Sequence, residues 1–267
     1  MTAAEGGRTS SDGIRQKAHN ERIHDEYEAH YYDASSMRYR RRFIMTPLLE
    51  GIDFDGKRVA DLACGSGFNS LLLRERFPHV RTVGFDISET ACDAYTRYTG
   101  SPAHAIDLTK PVHREEVFDG AIVIGGLHHC VSDLPQAIRN IAQMVRPGSL
   151  VLMMEPNADY VLEYARTTWY ERDQYFDAKT EAALSHAALA ATAAPWFETE
   201  SLRYMGGPAY FAILNSLVLR VPLRIKPFLE PLLYPMEAAT NLVGIRMLSP
   251  VFLARWRRTQ SPCVTGI

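Results

Sequence analysis

The residues best equipped for chemistry stand in four places. Residues 61–67 read DLACGSG, an acid followed by a turn with glycines at 65 and 67. Glycine there permits positive φ and lets a ligand lie against backbone with no Cβ in the way. Asp86 stands nineteen residues beyond Gly67, where one carboxylate can accept hydrogen bonds from both hydroxyls of a ribose. Asp107 can accept from an exocyclic adenine amine while Leu108 packs on the ring. The three together describe a site for an adenosine-bearing ligand. The fourth place is the pair His128 and His129. Histidine titrates near neutrality and is the natural base for activating an alcohol or phenol. Neighbours in an extended segment point to opposite sides, so one ring is expected to face a pocket while the other packs. The alternative is that both rings only shape their loop. Glu155 is a second candidate base. Cys130 has no activating partner in view and reads as a core cysteine. A metal is not indicated, because histidines that point apart chelate poorly and no acid joins them at ligand spacing.

These residues need a scaffold that brings them to one edge. Apolar runs at 58–64 (RVADLAC), 81–87 (RTVGFDI), 103–108, 118–124 (FDGAIVI) and 150–154 read as strands. Between them, 68–77 carries a leucine cluster stopped by Pro78, and 88–99 reads as a helix capped by Ser88. Leu134, Ala137, Ile138, Ile141 and Val145 form one helical stripe, broken by Pro147 and Gly148. Strict strand and helix alternation predicts a parallel α/β sheet covered on both faces. Such a sheet binds ligands beyond the carboxyl ends of its strands, which is where the motifs fall. A dinucleotide turn would need a third glycine, and Ser70 stands there; no G-K-[ST] phosphate loop is present. A pyrophosphate is therefore disfavoured. S-adenosylmethionine, which has adenosine without phosphate, fits.

Residues 58–156 resemble a class I S-adenosylmethionine-dependent methyltransferase, of the subgroup acting on small metabolites and natural products. The resemblance rests on DLACGSG, on GFDIS (84–88), on IDL (106–108), on FDGAIVIGGLHHC (118–130) and on VRPGS (145–149). One departure is Ala63, where many members carry glycine. The resemblance implies a Rossmann-like seven-stranded, mostly parallel sheet whose last strand is antiparallel. It further implies that Asp61 and the backbone of Ala63, Cys64 and Gly65, with Gly67 closing the turn, hold the methionine part of the cofactor. Asp86 and Ile87 would take the ribose, Asp107 and Leu108 the adenine, and Gly125 and Gly126 would lie beside the methionyl group.

The flanks complete the expected organisation. Residues 1–13 are small and polar, do not read as a signal peptide, and are expected to be disordered. Residues 14–50 form a helical arm, with Ile14, Ala18, Ile23, Tyr27 and Tyr31 on one face. EYEAHYYD followed by RYRRR resembles the lid segment of small-molecule methyltransferases. That implies Tyr27, Tyr31 or Tyr32 closing over the sulfonium, with Tyr32 in the catalytic set, and Arg38 or Arg42 near the cofactor carboxylate. Ordinary helix packing is the alternative. Residues 51–267 form the cofactor-binding domain, with helical acceptor-cap insertions at 157–195 and 208–245. The first holds Tyr160, Tyr164, Trp169, Tyr170, Tyr175 and Phe176, then an alanine-rich helix at 179–193. Strands at 199–204 and 250–257 would form an edge hairpin around the second. In that second insertion Pro208, Pro222, Pro227, Pro231 and Pro235 are expected to cut the apolar run into pieces too short to span a membrane. Its apolar character suits an apolar or aromatic acceptor, a dimer interface or a membrane-surface patch.

Composition narrows the function classes. Net charge is −2 with 46% hydrophobic residues, so nothing calls for nucleic acid, whose phosphates need a concentrated basic surface. Four scattered cysteines suit a reducing cytoplasm better than a disulfide framework. The expectation is a cytoplasmic enzyme of secondary metabolism, a homodimer, transferring methyl from S-adenosylmethionine to an oxygen, nitrogen or electron-rich ring carbon such as an indole. Two alternatives stand beside it. One is an RNA or protein methyltransferase, although GGLHH replaces the Asn/Asp-Pro-Pro-Tyr type of ending found in many amino-N enzymes of nucleic acid. The other is a non-catalytic cofactor-binding partner protein.

Overall fold

Seven strands make one sheet, in the order β3 (Ala103–Ala105), β2 (Arg81–Asp86), β1 (Arg58–Leu62), β4 (Phe118–Ile124), β5 (Val145–Pro156), β7 (Val251–Arg258) and β6 (Phe197–Met205), with β7 antiparallel to its neighbours on both sides. The computed structural model describes residues 29–112, 116–163 and 182–260. The N-terminal residues 1–28, among them Ile14, Ala18, Ile23 and Tyr27, lie outside these ranges. So do Tyr164, Trp169, Tyr170, Tyr175, Phe176 and Cys263.

In chain order, α1 (Ala34–Tyr39) continues into a π-helical turn at Arg40–Met45 and a single turn at Thr46–Leu48. Asp33 caps α1, its carboxylate accepting from the Ser35 and Ser36 N–H groups. Then come β1 (Arg58–Leu62), α2 (Phe68–Arg76), β2 (Arg81–Asp86), α3 (Glu89–Thr99) and β3 (Ala103–Ala105). Ser88 caps α3 through the Ala91 N–H, as its position predicts. The second half runs β4 (Phe118–Ile124), α4 (Leu134–Met144), β5 (Val145–Pro156), α5 (His186–Ala193), β6 (Phe197–Met205), α6 (Lys226–Val243) and β7 (Val251–Arg258).

Strand side chains alternate between two cores. Ala60, Leu62, Phe85, Val123 and Met153 face α4 and α5, while Val59, Ile122, Ile124, Leu152 and Leu253 face the N-terminal arm and α2. Because β1 to β5 run parallel, the residues that follow them lie along one edge of the sheet.

Four expectations need correction. Residues 147–148 do not break the chain ahead of β5; they lie inside it, and a bulge opposite Phe118–Gly120 absorbs the left-handed Gly148. The third strand stops at Ala105, so Asp107 lies in the loop beyond. The alanine-rich helix begins at His186, because Leu184 bridges to Asn157 instead. Pro231 and Pro235 do not cut α6 but lie within it. The carbonyls they leave without N–H partners belong to Pro227 and Pro231, both exposed, where water can satisfy them. No helix of the described residues is long and apolar enough to cross a membrane.

The arm and the β6–β7 insertion are one unit. Lys226, fully buried, donates from Nζ to the His30 carbonyl, Asp33 Oδ1 and Ser36 Oγ at 2.6, 2.7 and 3.0 Å. Glu237, also fully buried, accepts from the Gly207, Ala209 and Tyr210 N–H groups and from the Tyr39 hydroxyl. Arg38 grips Glu230 with two hydrogen bonds.

Candidate active site

The turn after β1 is built from left-handed residues: Ala63 at φ 51°, Gly65 at 51° and Gly67 at 87°. At Ala63 this conformation costs about 1 kcal/mol that glycine would not incur. Gly67 is required by space as well, since a Cβ there would stand 2.5 Å from Thr99 and 2.7 Å from Tyr95. The Gly65 N–H donates to Asp86 Oδ2 at 2.9 Å and the Ser88 N–H to Oδ1 at 3.0 Å. Asp86 is thereby fixed beside the turn. Asp107 holds its own loop, with Oδ1 accepting from the Thr109 N–H and hydroxyl. Leu108 is a core residue at 7% exposure, and its carbonyl accepts from Asn140. Half-buried Ile87 is the more open apolar side chain.

Asp61 is buried at the end of β1. Its Oδ2 accepts from Ser70 Oγ at 2.6 Å, and Ser70 in turn meets the Tyr95 hydroxyl at 2.8 Å. Its Oδ1 is buried with no hydrogen-bond partner among the described residues. Burial pushes its carboxyl up to about 7, against the Ser70 hydrogen bond. Such a group is neutralised by a proton or by a cation placed against it.

Beyond β4 the chain folds back on the same turn. A Cβ on Gly126 would stand 2.6 Å from the Ala63 Cβ, so glycine lets these two loops touch. Residues Leu127–His129 form a 3-10 turn held by Glu155, which is fully buried. Its Oε1 accepts from the Gly126 and Leu127 N–H groups at 3.0 and 2.8 Å. Its Oε2 accepts from the His128 N–H at 3.3 Å and meets His128 Nδ1 at 2.9 Å. Burial pushes the Glu155 carboxyl up to about 7, opposed by those three N–H groups. Glu155 is thus an anchor, not an open base. The histidine rings do not point apart as extended neighbours would; their centroids are 3.9 Å apart, because a 3-10 turn rotates successive residues far less than a strand does. Cys130 is buried, its thiol pushed up to about 12 by burial, as expected of a core cysteine.

The arm meets the site through residues other than those the lid segment implied. Tyr32 stacks on Phe68, the first residue of α2, at 4.4 Å. Arg40, buried, lies over Tyr32 and donates to Asn69 Oδ1. Arg38 is committed to Glu230. Arg42 lies over Phe43 and Tyr234, away from the glycine turn. Of the arginine run, Arg40 is the one that is buried and reaches α2. Tyr31 is buried, its hydroxyl donating to Asn215. Sequence reasoning missed Arg40 and the anchoring role of Glu155; an acid at the end of a strand was the one available signal for the latter.

A family model described as a methyltransferase domain matches residues 32–191. Over 125 residues the chain is 31% identical to glycine N-methyltransferase of Mus musculus, a stretch covering 39% of this chain and 42% of that protein. The chain thus spans about two fifths of the length of that relative. A Thermotoga maritima structure, an S-adenosylmethionine-dependent methyltransferase described as a possible histamine N-methyltransferase, matches with TM-score 0.59 at 14% identity, covering 92% of this chain and 99% of that one. N-methyltransferase NodS from Bradyrhizobium japonicum, in complex with S-adenosyl-L-homocysteine, matches with TM-score 0.53 at 13% identity over 88% and 97%. At these identities the two structures speak to fold.

Proposed function

Because the chain belongs to the methyltransferase-domain family, we propose that it transfers methyl from S-adenosylmethionine to a small, largely apolar or aromatic metabolite. The acceptor atom is an oxygen, a nitrogen or an electron-rich ring carbon such as an indole, in secondary metabolism. The observation that carries the cofactor half is Asp61, a buried carboxylate with one oxygen that has no hydrogen-bond partner among the described residues, beside a turn of bare backbone. That arrangement fits an ammonium group next to a chain that must lie close.

Asp61 and the backbone at Ala63–Gly65 would hold the methionine part, with Arg40 supplying a guanidinium for its carboxylate. Asp86 and Ile87 would hold the ribose, and Asp107 with the Leu108 backbone the adenine. Gly125 and Gly126 leave room beside the methionyl group. S-adenosylmethionine, when bound, supplies a methyl group already activated as a sulfonium. The protein's work is then alignment and the exclusion of water. Glu155 accepts from His128 Nδ1–H, which leaves Nε2 of the same ring able to take a proton from an acceptor hydroxyl. His129, packed on that ring, limits its rotation. Tyr32 on Phe68 would close the cofactor side, and Tyr160 stacked on Phe211 gives the second insertion an aromatic face.

The small-molecule reading is supported by the name of the 31%-identical relative, glycine N-methyltransferase, whose acceptor is a small molecule. A calorimetric titration with S-adenosylhomocysteine, followed by methyl transfer to a panel of phenols, indoles and small amines, tests both halves. Uptake and one methylated product are expected. Absence of uptake overturns the cofactor assignment; uptake with methylation of RNA or protein alone overturns the acceptor class.

A further inference from the structure

Eleven of the sixteen large apolar side chains exposed on the described residues lie between Leu219 and Leu248. The inner face of α6 is spoken for by Lys226, Glu230, Tyr234 and Glu237, which bind the arm. The outer face carries Phe228 (82% exposed), Leu232 (66%), Met236 (50%) and Val243 (66%) at helical spacing, with no charge among them. Together the eleven expose on the order of 1,000 Å2, above the roughly 300–600 Å2 of the largest patch on a typical monomer.

From residue 217 to 248 the exposed charged side chains are Arg220, Arg224 and Arg246, the last paired with Asp159 at 2.9 Å, while both acids of the stretch itself are turned inward. Beside the C-terminal end of α6 lies a groove of about 760 Å3. Its floor is apolar, including Phe43, Met45, Leu72 and Met205, and its rim carries Arg41, Arg42, Arg76 and Arg203. Glu75 and Glu50 neutralise Arg41 and Arg203, whereas Arg42 and Arg76 lie against aromatic rings. Leu242, 88% exposed, belongs both to the groove and to the helix that bears the patch.

We propose that the outer face of α6 and its flanking turns dock on an anionic lipid bilayer, with the arginine-rimmed groove holding one anionic lipid. An apolar face framed by cations is what an interfacial helix needs: side chains that enter the acyl boundary and guanidinium groups level with phosphate. A second copy of the chain suits the surface less well. A two-fold axis would bring this stretch, which exposes arginines and no carboxylate of its own, against itself. Docking is interfacial only, since no described helix can span a bilayer.

The test is co-sedimentation of the full chain with phosphatidylcholine vesicles, with and without phosphatidylglycerol. The chain is expected to pellet with the anionic vesicles and to be released as salt is raised. Phe228→Ser with Leu232→Ser should weaken this at least about tenfold, and Arg42→Gln with Arg76→Gln about tenfold or more. Circular dichroism and the thermal midpoint, read on the same variants, separate lost docking from lost folding. The proposal is overturned if anionic vesicles leave the chain in solution, or if neutral vesicles bind it as tightly. It is equally overturned if the folded serine variant pellets like the parent, or if sedimentation shows a lipid-free dimer that this variant dissociates.

Discussion

Asp86 shows how much one side chain is asked to do at the proposed site. It receives the Gly65 and Ser88 N–H groups, so it shapes the turn it is meant to serve. Asp86→Ala is expected to weaken S-adenosylhomocysteine binding by at least about 1.5 kcal/mol, the order for hydrogen bonds to a charged group; calorimetry reads it, and equal affinity would refute the ribose assignment. The two histidines divide differently. His128 has its Nδ1 held by Glu155, so His128→Ala should cost turnover about 10²-fold with cofactor affinity near normal. Glu155 adds a pH signature. With its carboxyl at about 7, protonation below that value removes the acceptor for Nδ1–H, and kcat is expected to fall as pH drops through about 7. Glu155→Gln should lower kcat and erase that inflection. An unchanged profile would leave alignment alone as the source of catalysis.

At the level of elements, arm and insertion are joined by buried polar groups that neither could satisfy alone. Lys226 is the centre of that joint: burial lowers its pKa, while Asp33 raises it and holds the ammonium. Lys226→Met would keep much of the volume and strip the cation from Asp33 and from two further acceptors. Breaking a buried pair in this way costs about 3 kcal/mol, to be read as a lowered denaturant midpoint with an unchanged slope. A neutral outcome would mean that arm and insertion hold together by their apolar contacts. The same joint explains why α6 survives Pro231 and Pro235. Its inner face is anchored from Lys226 to Glu237, and tertiary contacts of this kind outweigh local propensity.

For the whole molecule, two fully buried carboxyls at about 7 give stability an unusual pH dependence. In the unfolded chain both would titrate near 4, so as pH rises from about 4 to about 7 the unfolded state gives up these protons first. Folded stability is therefore expected to fall across that window, on the order of 3 kcal/mol per group. The thermal midpoint of the ligand-free chain should decline between about pH 4 and pH 7 and level off above, and Asp61→Asn should flatten part of the decline. A midpoint that rises over this range would show Asp61 and Glu155 ionised and satisfied in the folded state.

Much of the molecule was legible in the chain itself. Strands β1, β2 and β4, the Ser88 cap and the glycine turn follow from patterns only a few residues long, because strand period and turn chemistry are local, whereas the edge hairpin, split by an insertion, was implied by the family resemblance. Most candidate cofactor residues came with the strands, since they sit at or just beyond a strand's end. What the tertiary structure alone decided are matters of distant partners. Asp33 and Lys226 are 193 residues apart, and Glu155 stands 29 beyond the Gly126 N–H it receives. The burial of Arg40, the folded-back histidine pair and the unbroken α6 each depend on the surface that an element packs against. A sequence window specifies which conformations are cheap; the burial of polar groups by remote segments selects among them.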